Sequence, residues 1–310
     1  MQKNIFLWLF FILGLTICCP ADDETPEWTT TAVRAPHVQH CVFTSAVART
    51  KVSYHIYTPE IYDAQKEQRF PVLYWLHGTG GGLKGVAPVA ACFGAAIRAD
   101  KIPPLLIVFP NGMATSMWCD SKDGRVPMET MFVKDLIPYI DVHFRTIASR
   151  AGRIIEGFSM GGYGAARLGF KYPERFAAIS FLGGGPLQPE FKVNETPRAR
   201  PREAAALFKS VYDDDQEYFK AQSPWVLAAQ NASALQSIMS IRQVIGDCDV
   251  TLENNRKLDA HLTQLKIPHI FTVLPGVAHN VDAVLRALGE TNWKFYRDVF
   301  GKSAVAVGRK

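Results

Sequence analysis

Residues 153–164 read RIIEGFSMGGYG, an apolar run that breaks off at a serine set among glycines. Arg153–Glu156 has the pattern of a short buried strand, and Gly161–Tyr172 that of a helix carrying Ala and Leu. The corner between them, Gly157-Phe158-Ser159-Met160-Gly161, has the spacing G-x-S-x-G. A serine there is either a turn residue or a nucleophile held up for attack. Glycines two positions to either side relieve the crowding that a tight strand-to-helix corner creates. That spacing, between a buried strand and an Ala-rich helix, favours the nucleophile.

On both sides of the corner the same rhythm repeats. A hairpin-like pair comes first, CVFTS (41–45) and KVSYHIYTP (51–59), and its second arm alternates Val52, Tyr54 and Ile56 with Ser53, His55 and Tyr57. That is the period of a half-buried strand. Continuous apolar runs follow: VLYWLHG (72–78), PLLIVFPNG (104–112), the corner strand, FAAISFLGG (176–184), IRQVIGD (241–247) and HIFTVLPG (269–276). Helical stretches separate them. Uniformly apolar strands alternating with helices predict an α/β fold, a mostly parallel, doubly wound sheet covered on both faces, with an antiparallel hairpin at its N-terminal side. Residues 185–239 interrupt the rhythm with proline-rich and acidic patches, and read as an insertion over one end of the sheet. The expected organisation is a signal segment at 1–21, a polar leader at 22–36 and a single domain over 37–310.

In such a sheet, ligands and catalytic loops gather at the carboxyl ends of the strands. A serine hydroxyl needs a base to take its proton. Three histidines follow Ser159: His261 within an amphipathic helix, His269 at the start of a strand, and His279 just past the last strand. Position selects His279. The acid is expected after the preceding strand, where Asp247 and Asp249 both qualify; Asp249 lies further out and is better placed to reach the imidazole, while Asp247 shapes the turn. The Met160 amide, at the start of a helix, and an amide of the loop LHGTGGG (76–82), with Thr79 as its donor, are expected to hold an oxyanion. The glycines of that loop, Gly80 among them, let backbone approach a substrate. His77 reads as a brace for the loop. Trp118, in the loop after the fourth strand, is either a platform for a sugar or phenolic ring or a buried anchor. Trp225 reads as packing.

Several segments together resemble the esterase D / carbohydrate esterase family 1 group of α/β-hydrolases, which includes feruloyl and acetylxylan esterases, enterochelin esterase-like enzymes and secreted mycolyltransferases. The similar stretches are YWLHGTGG, the block ETMFVKDLIPYIDVHFRTIASRAGRIIEGFSMGGYGAARLGFKYPERFAAI, the SPW of 223–225, GDCD before a helix, and PGVAHN. They span roughly residues 50–300. The resemblance implies an α/β-hydrolase fold, Ser159 as nucleophile, Asp249 as acid, His279 as base, and Thr79 and Met160 as oxyanion donors. It implies no metal or organic cofactor. It departs in one place. Family members often carry a glycine pair and then an aromatic residue around the histidine, whereas this chain has Gly276-Val277-Ala278-His279-Asn280-Val281, a difference that bears on the shape of the acyl or leaving-group pocket.

Composition fits this reading. The chain has 310 residues, 48% hydrophobic and 20% charged, which describes a globular protein and not a disordered or fibrous one. The net charge of +5 is dispersed, so a nucleic-acid partner is not expected. The N-terminus, MQKNIFLWLFFILGLTICCPADDE, has one early Lys3, then an apolar run shorter than a spanning helix needs. It reads as a secretory signal cleaved near Ala21, with lipidation at Cys18 or Cys19 or an uncleaved anchor as the other options. The expected location is therefore secreted or periplasmic. Of the remaining cysteines, Cys41, Cys92, Cys119 and Cys248, none stands at C-x-x-C spacing. In an oxidising compartment disulfides are expected among them, with three pairings open. Asn194-Glu-Thr and Asn231-Ala-Ser are glycosylation sequons. The expected substrate is a feruloyl or acetyl ester on a polysaccharide. The alternatives are esters of polyester, siderophore or lipid, acyl transfer, and a carbohydrate-binding scaffold that has lost catalysis.

Overall fold

The computed structural model describes residues 27–196, 199–238 and 240–307, so the expected signal segment and Cys18–Cys19 lie outside the described residues. The elements come in the anticipated order. β1 (Val38–Ser45) and β2 (Thr50–Tyr57) form the antiparallel hairpin. They are followed by β3 (Val72–Leu76), α1 (Leu83–Arg98), β4 (Leu106–Pro110), α2 (Met128–Met131) and α3 (Ile137–His143), the last two joined by a π-helical turn over Phe132–Leu136. Then come β5 (Arg153–Phe158), α4 (Met160–Lys171), β6 (Ala178–Leu182), α5 (Pro201–Tyr212), α6 (Gln216–Gln222), α7 (Pro224–Gln230) and α8 (Ala232–Ile238). The chain ends with β7 (Ser240–Gly246), α9 (Leu252–Gln264), β8 (Ile270–Leu274) and α10 (Val281–Val307), which kinks at Gly289.

Among the described residues the sheet has eight strands in the order β1-β2-β4-β3-β5-β6-β7-β8. β1, β2 and β4 pair antiparallel, and the pairs from β4 through β8 are all parallel. The fold is the α/β-hydrolase fold. β3, β4 and β6 are buried along their whole length, because helices cover both faces and no position can be polar at low cost. Alternation sorts the side chains. Val72, Tyr74 and Leu76 join a core shared with α2–α4, α9 and the insertion, while Leu73 and Trp75 join a second core under α1 and α10.

The insertion is the four-helix stretch α5–α8. The leader, expected to precede the domain, is packed onto it over residues 27–36. Trp28 is buried, its carbonyl accepts from the Ser53 amide, and the Val33 amide donates to Nε2 of His55. An indole and the acceptors of a half-buried strand give this stretch a place to dock that its composition does not announce. The expected disulfides are absent among the described residues. Cys41 on β1, Cys92 on α1, the buried Cys119 after β4 and the exposed Cys248 after β7 are free thiols on separate elements. No helix among the described residues is long and apolar enough to cross a membrane.

Candidate active site

Parallel pairing brings the carboxyl ends of β3, β5, β6, β7 and β8 to one edge, and the loops leaving them carry the polar residues. Ser159 follows β5 directly, with φ 61° and ψ −121°, a left-handed conformation that a non-glycine residue holds only under constraint. The constraint is visible. The Ser159 amide donates to the Leu182 carbonyl at 3.0 Å, and its carbonyl accepts from Tyr163 and Gly185. The flanking glycines are required by contact. A Cβ at Gly157 would lie 2.3 Å from the Gly161 carbonyl oxygen, and one at Gly161 would lie 1.9 Å from that of Leu76.

Ser159 Oγ donates to His279 Nε2 at 2.9 Å, and His279 Nδ1–H donates to Asp249 Oδ2 at 2.6 Å. The carboxylate can only accept, which places the ring proton on Nδ1 and leaves Nε2 as the acceptor facing the serine. Asp249 is buried; burial pushes its carboxyl up, but the hydrogen bonds from His279 and from the amide and hydroxyl of Thr251 outweigh that and hold it below its ordinary value. The Phe158 ring packs 4.6 Å from the imidazole, and Gly183 lies beneath both His279 and Asp249.

Ser159 opens into a cavity of about 300 Å³ whose wall includes Thr79, Met160 and His279. Met160 begins α4, and first-turn amides have no intrahelical acceptor.

The family model "Putative esterase" matches residues 45–297. The chain belongs to this esterase family. Among curated proteins, Esterase Rv1288 of Mycobacterium tuberculosis is 36% identical over 118 residues, covering 37% of this chain and 25% of that protein. The endo-1,4-beta-xylanase/feruloyl esterase of Xylanibacter ruminicola is 29% identical over 184 residues, covering 55% of this chain and 25% of that protein. The matches thus span about a quarter of the length of these relatives. Among solved structures, a ferulic acid esterase superposes with a TM-score of 0.69 at 23% identity, covering 85% of this chain and 98% of its own. The CE1 ferulic acid esterase AmCE1/Fae1A of Anaeromyces mucronatus superposes with 0.61 at 16% identity, covering 91% and 96%.

One expected substrate contact of this esterase-family chain, Trp118, lies elsewhere. Trp118 is 0% exposed and belongs to the core. Its Nε1 donates to the His77 carbonyl, and it fills space left by two glycines, since a Cβ at Gly112 or Gly164 would strike the indole at 2.3 or 2.5 Å. It is a loop anchor and not a stacking platform. Gly80 stands in a left-handed turn with φ 85°, and its amide donates to the Ala114 carbonyl at 2.9 Å, so that donor is already engaged.

The remaining residues fall where their positions suggested. His77 is buried, donates from Nδ1 to the Gly78 carbonyl and accepts at Nε2 from the Gly112 amide, bracing two loops; burial lowers its proton affinity and keeps it neutral. Asp247 accepts from the Gly276 amide at 2.7 Å and shapes the turn. His261 packs on Trp225 and His269 pairs with Asp259, both away from Ser159. Trp225 donates to the Leu187 carbonyl.

Other cavity residues were not visible in the sequence. Thr115 and Met117 come from the loop after β4, Phe191 and Thr196 from the start of the insertion, and Ala199, Glu203 and Leu207 from on and just before α5. Glu203 and Leu207 stand at i and i+4, on one face of α5. That spacing is their only signal, and nothing in it says where the face points.

Proposed function

We propose that the chain is a carboxylic ester hydrolase of the serine type, acting through an acyl-enzyme on feruloyl or acetyl esters of polysaccharides. The observation that carries the reading is the unbroken chain Ser159–His279–Asp249 at 2.9 and 2.6 Å, opening into a cavity of about 300 Å³. In this reading Ser159 Oγ attacks the ester carbonyl carbon as its proton passes to His279 Nε2. Asp249 holds the ring and stabilises the imidazolium without taking the proton. The tetrahedral oxyanion rests on the Met160 and Thr79 amides. The imidazolium returns the proton to the leaving alcohol, and water then releases the acid by the same route.

The acyl preference is supported by the esterase family and by the feruloyl esterase among the curated relatives. Its cavity, with Met117, Pro186, Phe191, Ala199 and Leu207 beside threonine hydroxyls, has the mixed character that a phenolic or short acyl group on a hydroxylated alcohol requires. The N-terminal segment is proposed as an export signal, which places the reaction outside the cytoplasm. Mature mass against the full chain tests that.

The chemistry is tested by labelling with a fluorophosphonate, with the adduct mapped to Ser159. The substrate is tested by a panel of methyl ferulate, acetylated xylan, nitrophenyl esters of rising chain length and a polyester film. Hydrolysis of ferulate or acetylxylan esters is expected; activity confined to chains longer than about butyrate overturns the substrate assignment.

A further inference from the structure

On the far side of the catalytic acid lies a second set of side chains. Thr251 is the residue before α9 and occupies its N-cap position, where a threonine hydroxyl ordinarily accepts from an amide of the first turn. Here the hydroxyl makes no such cap bond. It lies 2.9 Å from Asp249 Oδ1, the oxygen that His279 does not use, and the Thr251 amide donates to that same oxygen at 2.9 Å.

The Asp249 oxygen can only accept, so the Thr251 hydroxyl donates to it, and a second residue braces it from behind. Asn255, fully buried one turn into α9, has its Nδ2 2.8 Å from the Gly184 carbonyl and 3.0 Å from the Thr251 carbonyl. Two carbonyls can only accept, so this atom must be the NH₂. Its partner Oδ1 accepts from the buried Gln243 Nε2 at 3.1 Å, which agrees. With its hydrogens on those two carbonyls, the NH₂ lies 3.4 Å behind Thr251 Oγ1 and holds the Thr251 backbone in place. Asn255 also clamps the Gly183–Gly185 turn that underlies the imidazole and donates to the Ser159 carbonyl.

We propose that Thr251, braced by Asn255, is a positioning residue for the catalytic acid. Its hydroxyl locks the Asp249 carboxylate plane so that Oδ2 meets His279 Nδ1 and the aspartate stays an ionised acceptor throughout the cycle. The inference rests on the Ser159–His279–Asp249 reading and extends it by two residues. Without the hydroxyl, Oδ1 keeps a single donor, the Thr251 amide, and the carboxylate can swing about that bond, each swing costing the imidazole its orientation. With three donors on two oxygens, from His279 and twice from Thr251, the rotation is blocked before substrate arrives.

The test uses the full chain and a fluorophosphonate, which reports nucleophile activation independently of ester recognition. Thr251→Val keeps the methyl that packs toward Gly185 and the backbone amide, and replaces only the hydroxyl. It is expected to slow labelling of Ser159 and lower kcat by about tenfold to a hundredfold, the scale of one hydrogen bond to a charged group, with KM for a small acetyl ester within about threefold. Thr251→Ala, which places no methyl against the carboxylate, is expected to slow by a similar factor. Thr251→Ser is expected to restore the wild-type rate to within about threefold. Equal labelling rates for wild type, Thr251→Val and Thr251→Ala overturn this inference alone. So does a Thr251→Ser protein as slow as Thr251→Val, because the methyl packing would then be what matters. A wild-type chain that the probe leaves unmodified overturns the nucleophile assignment and this inference with it.

Discussion

Arg167, on the helix that begins at the Ser159 corner, donates from Nη1 to the carbonyl of Trp118 at 2.7 Å, entirely inside the core. Through that bond α4 holds the loop after β4, whose Thr115 and Met117 line the cavity. The other guanidinium nitrogens reach Glu129 and both oxygens of the Gln222 backbone and side chain, so the same side chain ties α2 and the insertion to α4.

Arg167→Met leaves this cluster of acceptors without its donor. Lys171 and the Tyr172 hydroxyl still contact Glu129, so the carboxylate is not stranded completely. Breaking a buried pair from one side nonetheless costs on the order of 3 kcal/mol. Urea unfolding of the variant should show that loss, and Arg167→Lys should recover little of it, because an ammonium cannot reproduce the fork. An Arg167→Met protein as stable as wild type would contradict the picture.

Trp118→Ala should destabilise the fold by about 3–5 kcal/mol, as for other large-to-small changes in a packed core. Since the indole is enclosed, the milder Trp118→Phe should lower KM discrimination between aromatic and aliphatic esters not at all. A selective loss for aromatic esters would return Trp118 to the substrate.

Two glycines should behave oppositely. Gly161→Ala drives a methyl into the Leu76 carbonyl, which is backbone and cannot step aside. The variant is expected to lose activity and soluble yield together. Gly80→Ala meets no atom within 4 Å and pays only for its positive φ, about 1–2 kcal/mol, with ester hydrolysis largely kept.

Acid should loosen the leader. Burial, then the neighbouring His40, lowers His55 to about 4, with the Thr31 carbonyl pulling the other way. The unfolded chain, with an ordinary histidine, takes up a proton first as pH falls. Stability from this site is therefore complete above about pH 6.5 and declines progressively down to about pH 4. A protonated ring also cannot accept from the Val33 amide. Unfolding midpoints of wild type against His55→Gln across that range should diverge toward acid, and parallel curves would contradict the assignment.

At the chemistry itself, Ser159→Ala should lower kcat by about a millionfold and Asp249→Asn by about ten-thousandfold, the latter by disturbing the ring tautomer. Wild-type turnover by Ser159→Ala would end the hydrolase reading.

How much of this was readable in advance follows from where each signal resides. The strands β3 to β7 were legible because burial on both faces makes each a continuous apolar run, and the half-exposed edge strand β8 still carried enough apolar residues to be read. Gly157 and Gly161 were legible because a crowded corner admits no Cβ. His279 could be separated from His261 and His269 because the order of elements puts it alone just past a parallel strand's carboxyl end. Trp118 was ambiguous: a tryptophan in a polar loop looks the same whether it faces solvent or plugs the gap over Gly112 and Gly164. Nothing local to Thr251 announces its contact with Asp249, and Trp28 lies in a stretch whose polar composition hides its burial.

From the residue order alone came the α/β architecture, the strained corner and the histidine with which it would have to work, since each depends on neighbours within a few positions along the chain. Only the folded molecule decided that the indole at 118 turns inward, that the four thiols stay apart, that α5 walls the cavity and that Thr251 donates to Asp249. Those outcomes depend on which distant surfaces meet, and hydrophobic burial drives that meeting without regard to separation in sequence.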